Sequence, residues 1–299
     1  MHYLIKIKKS INGYAPGEVY WCDEPNAIRA AKIADIYPAA ILPQYTTQKN
    51  LLIIRSGGIG DLLALSTLVG IAERTIFVTQ SKYKPVFDWF KLPVVVRSFD
   101  DPIYSVKFPE TVIKSGYGVM VGEDIIEQGS SKNWYDVFYS AIGRERVYGR
   151  PQLKDIGTGE GVECLIVAKA SDPKRSADKY KLGEICSRHY KQVVFADEQK
   201  WSLKEYLNQL SRAQMVISVD TSAIHFREGL GKPALGLYGA FGADSRTKYY
   251  EHTQSIDIIG GCDIQPCFLH HDRRCPKGGN IAPCMTNYLQ IEKAIINYK

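Results

Sequence analysis

The sequence predicts an α/β protein with two doubly wound lobes of parallel sheet and a small N-terminal extension. Three observations lead to this prediction. The chain has 299 residues, and a domain holds roughly 100 to 200, so two lobes are expected. From Leu51 onward, short apolar runs alternate with amphipathic stretches, which is typical of strand–helix units in a parallel sheet. A segment rich in glycine and charge, GRPQLKDIGTGEGV at 149–162, separates two such series and indicates the lobe boundary.

Residues 1–45 form the predicted extension. A short strand is expected over Tyr3–Ile7, followed by a turn in NGYAPGEV and a helix over EPNAIRAAKIADI, residues 24–36. This strand, turn and helix resemble small modules appended to bacteriophage proteins. The other interpretation is a packing extension.

Each lobe has its own series of predicted elements. The first lobe, residues 46–155, has strands in LLIIR, TIFVT, PVVVRS and YGVMVG and a helix in NWYDVFYSAIG. The second, residues 156–299, has strands in ECLIVAKA, QVVFAD, MVISVD and PALGLYG, with helices at 179–189, in SLKEYLNQLSRA and around AIHFREGLG. In doubly wound folds, ligands bind outside the carboxyl ends of such strands.

The composition is that of an ordinary globular protein. Hydrophobic residues make up 45% of the chain and charged residues 23%, which argues against a disordered or membrane protein. We expect a cytoplasmic location and no membrane span, because no signal-type segment follows the first ten residues and no apolar window approaches 18 residues. The net charge of +6 suits a protein that handles phosphates, but solvated lysines would give the same value.

The stretch RSGGIGD, residues 55–61, joins the first predicted strand of the first lobe to a helix. Its glycines, Gly57, Gly58 and Gly60, allow positive φ and close approach of the backbone. The spacing is not GxGxxG, and Asp61 would repel a dinucleotide pyrophosphate, so an NAD-dependent oxidoreductase is disfavoured. Asp61 is either a helix-cap residue or a carboxylate that faces the crevice and accepts a proton from an attacking hydroxyl.

The stretch MVISVDTSAIHFREGLGKPALGLYG, residues 215–239, predicts an anion site. A buried strand ends at Asp220, and Thr221, Ser222 and Ala223 then begin a helix with free N–H groups, apt for a diphosphate. Asp220 is placed to accept hydrogen bonds from sugar hydroxyls. His225 lies in the first helical turn and is either a packing residue or a ligand contact, and Tyr238 and Gly239 are expected to line the same crevice.

These motifs resemble glycosyltransferase family nine, which contains the ADP-heptose:lipopolysaccharide heptosyltransferases. The family pattern is D-[ST]-G-x-x-H, a helix and a G-x-P strand, and it is similar to VDTSAIHFREGLGKPALGLYG. The family's first motif is similar to the strand, glycine turn and GD of residues 51–61, and NWYDVFYSAIG is similar to its H-x-[VA]-D-x-[YF] helix. The resemblance covers residues 50–299 and implies a GT-B fold with two facing Rossmann-like domains.

The resemblance also implies roles for individual residues. Asp61 matches the catalytic base, Asp220 the residue that contacts the donor sugar, and Thr221 with the following amides the diphosphate site. A phosphate-binding lysine matches Lys174, with Arg175 and Lys179 as alternatives, and Glu198 matches an acidic residue that contacts the nucleoside. The sequence departs from the family pattern where Ser222 replaces a glycine, and in the short first lobe.

Four of the seven cysteines, Cys262, Cys267, Cys275 and Cys284, lie close together with His270 and His271 between them. In a reducing cytosol, such crowding favours metal ligation, and four thiolates suffice for a structural zinc. Reduced thiols and disulfides are the alternatives. Members of the resembled family carry a similar cysteine-rich segment near the C-terminus.

The predicted function is that of an inverting glycosyltransferase that moves a sugar, such as a heptose, from a nucleoside-diphosphate sugar to an acceptor hydroxyl. The implied acceptor is a glycan or lipid-linked saccharide, and catalysis needs no cofactor. One alternative is a phage-type glycosyltransferase that acts on modified DNA. Another is a non-catalytic nucleotide-sugar-binding protein of the same fold.

Overall fold

The structure is a computed structural model that describes residues 2–7, 19–23, 34–38, 50–55, 58–98, 106–108, 117–121, 133–142, 144–240, 242–258, 275 and 282–298. Within these ranges the chain forms three sheets.

The extension contributes three antiparallel strands, β1 (His2–Ile7), β2 (Val19–Asp23) and β3 (Ala34–Pro38). The predicted first strand is confirmed. The predicted helix is wrong at its end, because residues 34–36 belong to β3, where Ile36 pairs with Ile5 of β1. Backbone pairing with β1 outweighs the helical pattern there. Residues 24–33 of that helix and the NGYAPGEV turn lie outside the described residues.

The first parallel sheet contains β4 (Asn50–Ile54), β5 (Arg74–Thr79), β6 (Val95–Ser98) and β8 (Tyr117–Val121), in the order β6-β5-β4-β8. Leu52 of β4 pairs with Ile76 on one side and Val119 on the other. The four apolar runs predicted as strands are therefore confirmed. Between β6 and β8 in sequence, β7 (Val106–Phe108) pairs with β2 instead, so the extension and this segment share one sheet.

The second parallel sheet contains β9 (Cys164–Val167), β10 (Val193–Phe195), β11 (Met215–Val219), β12 (Ala234–Tyr238) and β13 (Thr253–Asp257). Their order is β10-β9-β11-β12-β13. The two sheets confirm the predicted α/β class with parallel strands.

The described helices are α1 (Ile59–Leu65), α2 (Lys84–Phe87), α3 (Trp134–Ala141), α4 (Lys179–Ser187), α5 (Leu203–Arg212), α6 (Ser222–Gly229), α7 (Asp244–Thr247) and α8 (Tyr288–Tyr298). Side-chain caps fix where several begin, because a side-chain oxygen accepts an otherwise unpaired backbone N–H. Asn133 caps α3, Asp178 caps α4, Ser202 caps α5 and Thr221 caps α6. None of the described helices is long and apolar enough to cross a membrane.

Strand order defines where a ligand would bind. In the first sheet β4 lies between β5 and β8, and in the second β9 lies between β10 and β11. The chain therefore switches sides at β4 and β9, and ligands of such sheets bind at the carboxyl ends beside the switch. Helix α1 follows β4, helix α6 follows β11, and the two helices pack against each other. The two sheets also share one apolar core, in which Trp89 and Phe226 meet edge to face at 4.9 Å.

Candidate functional site

The turn after β4 holds Asp61 in the first turn of α1. Gly58 precedes this helix with φ of 80°, a conformation that L side chains rarely adopt. A Cβ at Gly58 would also overlap the Asp61 carboxylate. Among the described residues, no side chain caps α1, so the Asp61 carboxylate does not act as a helix cap. Gly57 lies outside the described residues.

The partner of Asp61 is Arg55, directly after β4. Its Nε donates to Asp61 Oδ2 at 3.0 Å, and its Nη2 also contacts Oδ2. The Asp61 side chain is 14% exposed. Burial raises the pKa of Asp61 above its ordinary value, whereas Arg55, then Arg246 and Arg175, lower it. The result is a carboxyl group that holds its proton more tightly than a solvated aspartate, despite three nearby cations.

The turn after β11 forms the second part of the site. Thr221 Oγ1 accepts from the Ala223 amide at 3.2 Å and also bonds Ser218 Oγ at 2.8 Å. Asp220 is buried, and Arg175 Nη1 donates to its backbone oxygen at 3.0 Å and to its Oδ2 at 3.2 Å. The start of α6 thus combines amide groups, a hydroxyl and a guanidinium, a combination suited to anion binding.

Ser222, the departure from the family pattern, lies at this helix start. Burial raises the pKa of Tyr206 of α5 to about 12, whereas the nearby Ser222 and Thr221 side chains lower it. The extra hydroxyl of Ser222 therefore lies close to Tyr206, within the second half of the chain.

The two turns meet at Gly60 and His225. A Cβ on Gly60 would lie 3.1 Å from His225 Cδ2 and 3.5 Å from the Ser222 Cα, so a side chain there would have to displace His225 by a few tenths of an ångström. His225 is 2% exposed, and its Nδ1 hydrogen-bonds the Tyr250 hydroxyl at 2.6 Å. Burial lowers the pKa of His225 to about 4, against Asp220, which raises it. His225 is therefore neutral at neutral pH and joins the two turns.

Arg246 of α7 is a site residue that the sequence analysis missed. It is 2% exposed, and its Cζ lies 3.8 Å from the centroid of the Trp134 ring. Burial lowers the pKa of Arg246 to about 10, whereas Asp220 and Asp61 raise it. Arg246 is therefore within electrostatic reach of both site carboxylates. The sequence analysis assigned no role to the segment GADSR, residues 242–246.

The remaining predicted donor residues lie around the second sheet. Lys174 is buried in the turn after β9, where its amide donates to Asp172 Oδ1 at 3.0 Å. Glu198, after β10, is half-exposed and accepts from Lys179 Nζ at 2.6 Å. Of the three predicted phosphate-binding cations, Arg175 thus contacts Asp220 and Lys179 pairs with Glu198.

Tyr238 ends β12, and Gly239 follows it. Tyr238 is fully buried, and burial raises its pKa well above the ordinary value. A Cβ at Gly239 would lie 2.6 Å from Met285 Sδ and 2.9 Å from Cys284 Sγ. One side of Gly239 therefore packs against the end of the cysteine-rich segment.

The four-cysteine site stays a prediction. Cys284 is buried and Cys275 is partly buried against the core of the second sheet. Cys262 and Cys267 lie outside the described residues, as do His270 and His271. Within the part of the chain that the structure describes, no group of three or more His, Cys, Asp or Glu side chains is placed to hold a metal ion.

No protein-family model matches the sequence, and no curated protein is significantly similar to it. Solved structures, in contrast, share its fold. The iron-containing dodecameric glycosyltransferase TibC of enterotoxigenic E. coli matches with a TM-score of 0.59 and 14% identity, over 84% of this chain and 76% of that one.

Two further structures match 84% of this chain. The E. coli heptosyltransferase WaaC with ADP-2-deoxy-2-fluoro heptose has a TM-score of 0.51 and 12% identity and is covered over 100% of its length. A glycosyl transferase family 9 protein of Veillonella parvula has a TM-score of 0.51 and 10% identity and is covered over 97%. The chain therefore has the GT-B fold of the family 9 glycosyltransferases.

Proposed function

We propose that the protein is an inverting glycosyltransferase that moves a sugar from a nucleoside-diphosphate sugar to an acceptor hydroxyl. One observation carries the proposal. The turn that carries Asp61, at the switch point of the first sheet, packs through Gly60 against the start of α6, where the amide groups suit an anion. A base and a leaving-group site on opposite sides of one crevice are what a direct displacement at a sugar carbon requires.

Asp61 acts as the general base. Both donors from Arg55 bind Oδ2, which leaves Oδ1 to accept the proton of the acceptor hydroxyl. As the acceptor oxygen bonds to C1 of the sugar, the bond from C1 to the diphosphate oxygen breaks and the proton passes to Asp61. A single displacement of this kind inverts the anomeric centre. The raised pKa of Asp61 brings this base closer to neutral pH, where proton transfer is most effective.

The second half of the site receives the leaving diphosphate. Charge on that group grows as the bond to C1 breaks, and preorganised donors stabilise such charge best where water is excluded. The amides at the start of α6, the Thr221 hydroxyl and Arg175 are the donors available there. We assign Asp220, which Arg175 bonds, to the hydroxyls of the donor sugar. No step of this scheme needs a metal ion.

We propose an ADP-activated sugar, such as ADP-heptose, as the donor. The support is the likeness to TibC, solved in complex with ADP-D-beta-D-heptose, and to WaaC, solved with ADP. Glu198 at the end of β10 is the residue we assign to the nucleoside. The acceptor that we favour is a glycan or lipid-linked saccharide. Transfer to the hydroxyl of a modified DNA base would instead support the phage-type alternative.

The first test is a thermal-shift screen of the purified chain with nucleotides and nucleotide sugars. A donor bound at 100 times its Kd stabilises a protein by about 2.7 kcal/mol, so the true donor class should raise the Tm most. The second test is the release of ADP from ADP-heptose. Asp61→Asn should slow release by about 10² to 10⁴-fold. Asp136→Asn, which changes a carboxylate on α3 that pairs with Arg146, should leave the rate unchanged.

Two outcomes would contradict the proposal. One is wild-type ADP release by Asp61→Asn. The other is tight nucleotide binding with no transfer from any nucleotide sugar, which would favour the non-catalytic binding protein.

A further inference from the structure

His225 lies at the end of a chain of three hydrogen-bonding groups. The Tyr135 hydroxyl contacts the Tyr250 hydroxyl at 2.7 Å, and the Tyr250 hydroxyl contacts His225 Nδ1 at 2.6 Å. Tyr135 and His225 are both buried. Among the described residues, neither phenol hydroxyl has another hydrogen-bond partner. The chain therefore begins at Tyr135 and ends at the histidine ring.

These three residues come from both halves of the molecule. Tyr135 belongs to α3, which follows β8 of the first sheet. His225 belongs to α6, and Tyr250 lies between α7 and β13, beside the second sheet. Trp134, the first residue of α3, stacks on the His225 ring with centroids 5.3 Å apart and planes inclined by 27°. The Tyr250 ring meets the same imidazole edge to face at 5.9 Å. Packing on two sides thus holds the imidazole with Nδ1 directed at Tyr250.

The direction of these hydrogen bonds follows from the number of protons that the three groups hold. Burial lowers the pKa of His225 to about 4, so at neutral pH its ring is neutral and carries one proton. If Tyr135 donates to Tyr250 and Tyr250 donates to Nδ1, both phenol protons are bonded and the ring proton is on Nε2. If Nδ1 donates instead, one phenol proton has no acceptor within the described part of the chain. An unpaired buried donor carries its full desolvation cost, so the first arrangement is favoured.

The edge of the His225 ring that carries Nε2 faces the first turn. The point at which a Gly60 side chain would begin lies 3.1 Å from His225 Cδ2, 3.7 Å from His225 Nε2 and 3.5 Å from the Ser222 Cα. Because residue 60 is a glycine, no side chain of its own fills this point. Ser222 begins α6, whose amide groups suit an anion. A ligand oxygen at the start of α6 can therefore reach a proton on Nε2.

We propose that Tyr250, bonded by Tyr135, is a positioning residue that keeps the ring proton of His225 on Nε2, where it donates to an oxygen of the bound diphosphate. The inference rests on the proposed function, because a diphosphate occupies this place only if the protein binds a nucleotide sugar. His225 then adds a neutral donor to the amides of α6 and to Arg175. The Tyr250 hydroxyl acts through His225 and touches no ligand.

NMR of the histidine ring nitrogens tests which nitrogen carries the proton. The chain would be labelled with ¹⁵N at its histidines, and the His225 signals assigned by their loss in His225→Asn. In the wild type at neutral pH we expect a protonated Nε2 and an unprotonated, hydrogen-bonded Nδ1. Tyr250→Phe removes the donor to Nδ1 and should shift the Nδ1 signal, and Tyr135→Phe should shift it less. A protonated Nδ1 in the wild type, or an unshifted Nδ1 signal in Tyr250→Phe, overturns the inference.

Tyr249→Phe is the matched control. Tyr249 precedes Tyr250, and its hydroxyl donates to Asp136 Oδ2 at 2.6 Å, so this variant also removes a hydroxyl that is bonded to α3. It should leave the Nδ1 signal of His225 in place. An equal shift in Tyr249→Phe would show a general disturbance of this segment and overturns the inference. If Tyr250→Phe does not fold, the protonation of Nδ1 in the wild type decides the question.

ADP binding separates this inference from the proposed function. Calorimetric titration should show ADP affinity about 2 to 10-fold weaker in Tyr250→Phe, the range for loss of one hydrogen bond, and unchanged in Tyr249→Phe. If Asp61→Asn slows ADP release from ADP-heptose but Tyr250→Phe binds ADP as tightly as the wild type, the inference alone fails. If Asp61→Asn releases ADP at the wild-type rate, the proposed function fails and the role of Tyr250 in transfer fails with it.

Discussion

The turns after β4 and β11 resemble each other but differ in where the aspartate lies relative to the helix that follows. Each follows a strand, carries an aspartate and leads into a helix, and each aspartate is bonded by an arginine. At the first turn the helix lacks a side-chain cap among the described residues, and Asp61 lies within the helix itself. At the second, Asp220 precedes a helix capped by Thr221.

This difference assigns different chemistry to the two turns. At the first turn, the carboxylate occupies the helix start, where an incoming anion would meet a like charge. At the second turn, the carboxylate stands before the helix, so the amide groups at the helix start, apart from the Ala223 amide that donates to Thr221 Oγ1, can donate to an anion. A base therefore fits the first turn and a diphosphate the second, although both are strand–turn–helix units with an acid.

Exchanging each aspartate for asparagine should separate the two roles most clearly. Asp61→Asn removes the proton acceptor and should lower the kcat for ADP release from ADP-heptose by about 10² to 10⁴-fold, with little change in donor KM. Asp220→Asn should mainly raise the donor KM, because the amide keeps the shape but loses the charge paired with Arg175. Steady-state kinetics on both variants measures these effects. Equal losses of kcat with unchanged donor KM would show that the two aspartates do not have different roles.

Protonation of His225, which joins the two turns, should lower the free energy of unfolding at acid pH. Its pKa is about 4 in the folded chain and about 6.5 when solvated, so the unfolded chain binds the proton first. The stability contributed by neutral His225 is complete above pH 6.5 and is lost as pH falls toward 4, by roughly 3 kcal/mol in all. Urea unfolding between pH 7 and 4 measures this loss. The raised pKa of Asp61 acts in the opposite sense, so the comparison is made against a variant.

That variant is His225→Asn, which retains a polar atom near the Tyr250 hydroxyl but does not titrate. Its unfolding free energy should fall less between pH 7 and 4 than that of the wild type. His252→Asn, at an exposed histidine, is the control and should keep the wild-type dependence. Identical acid dependence in the wild type and His225→Asn would show that the buried histidine does not couple the two turns.

Removal of Arg175 should mainly weaken anion binding at the second turn, and it should also raise the pKa of Asp61 at the first. A hydrogen bond to a charged group contributes about 1.5 to 3 kcal/mol, so Arg175→Met should weaken ADP binding by roughly 10 to 100-fold. Arg55→Met should leave ADP affinity near the wild-type value while lowering turnover. Arg188→Met, at an exposed residue that directly follows α4, is the control. Calorimetric titration with ADP measures the affinity of all three variants. If Arg55→Met weakens ADP binding as much as Arg175→Met does, the diphosphate contacts both turns.

The sequence predicted the two aspartates and named Arg175 as an alternative phosphate-binding residue, but it did not predict that Arg55 and Arg175 bond the aspartates. The strands and Asp61, Thr221 and Ser222 could be located because periodicity and turn residues are local signals. Arg246 lies against Trp134, which is far away in sequence and is brought near where the start of α3 meets α7. The same limit applies to β7, whose pairing with β2 depends on a contact between distant segments. Local pattern therefore located the residues proposed to react, whereas their contacts required the fold.

Alanine substitution at Gly58 and at Gly159 should separate two reasons for a glycine at the first turn, which are its backbone conformation and the room it leaves for the Asp61 carboxylate. Gly58 and Gly159 both have positive φ, 80° and 86°, so alanine at either should cost about 1 to 3 kcal/mol of unfolding free energy. At Gly159 an added Cβ would meet nothing within 4 Å among the described residues, whereas at Gly58 it would displace the Asp61 carboxylate. Both alanine variants should therefore lose similar stability in urea, but only Gly58→Ala should lose ADP release. If Gly159→Ala loses activity equally, general destabilisation explains the defect, and the glycine at 58 is not there to admit the base.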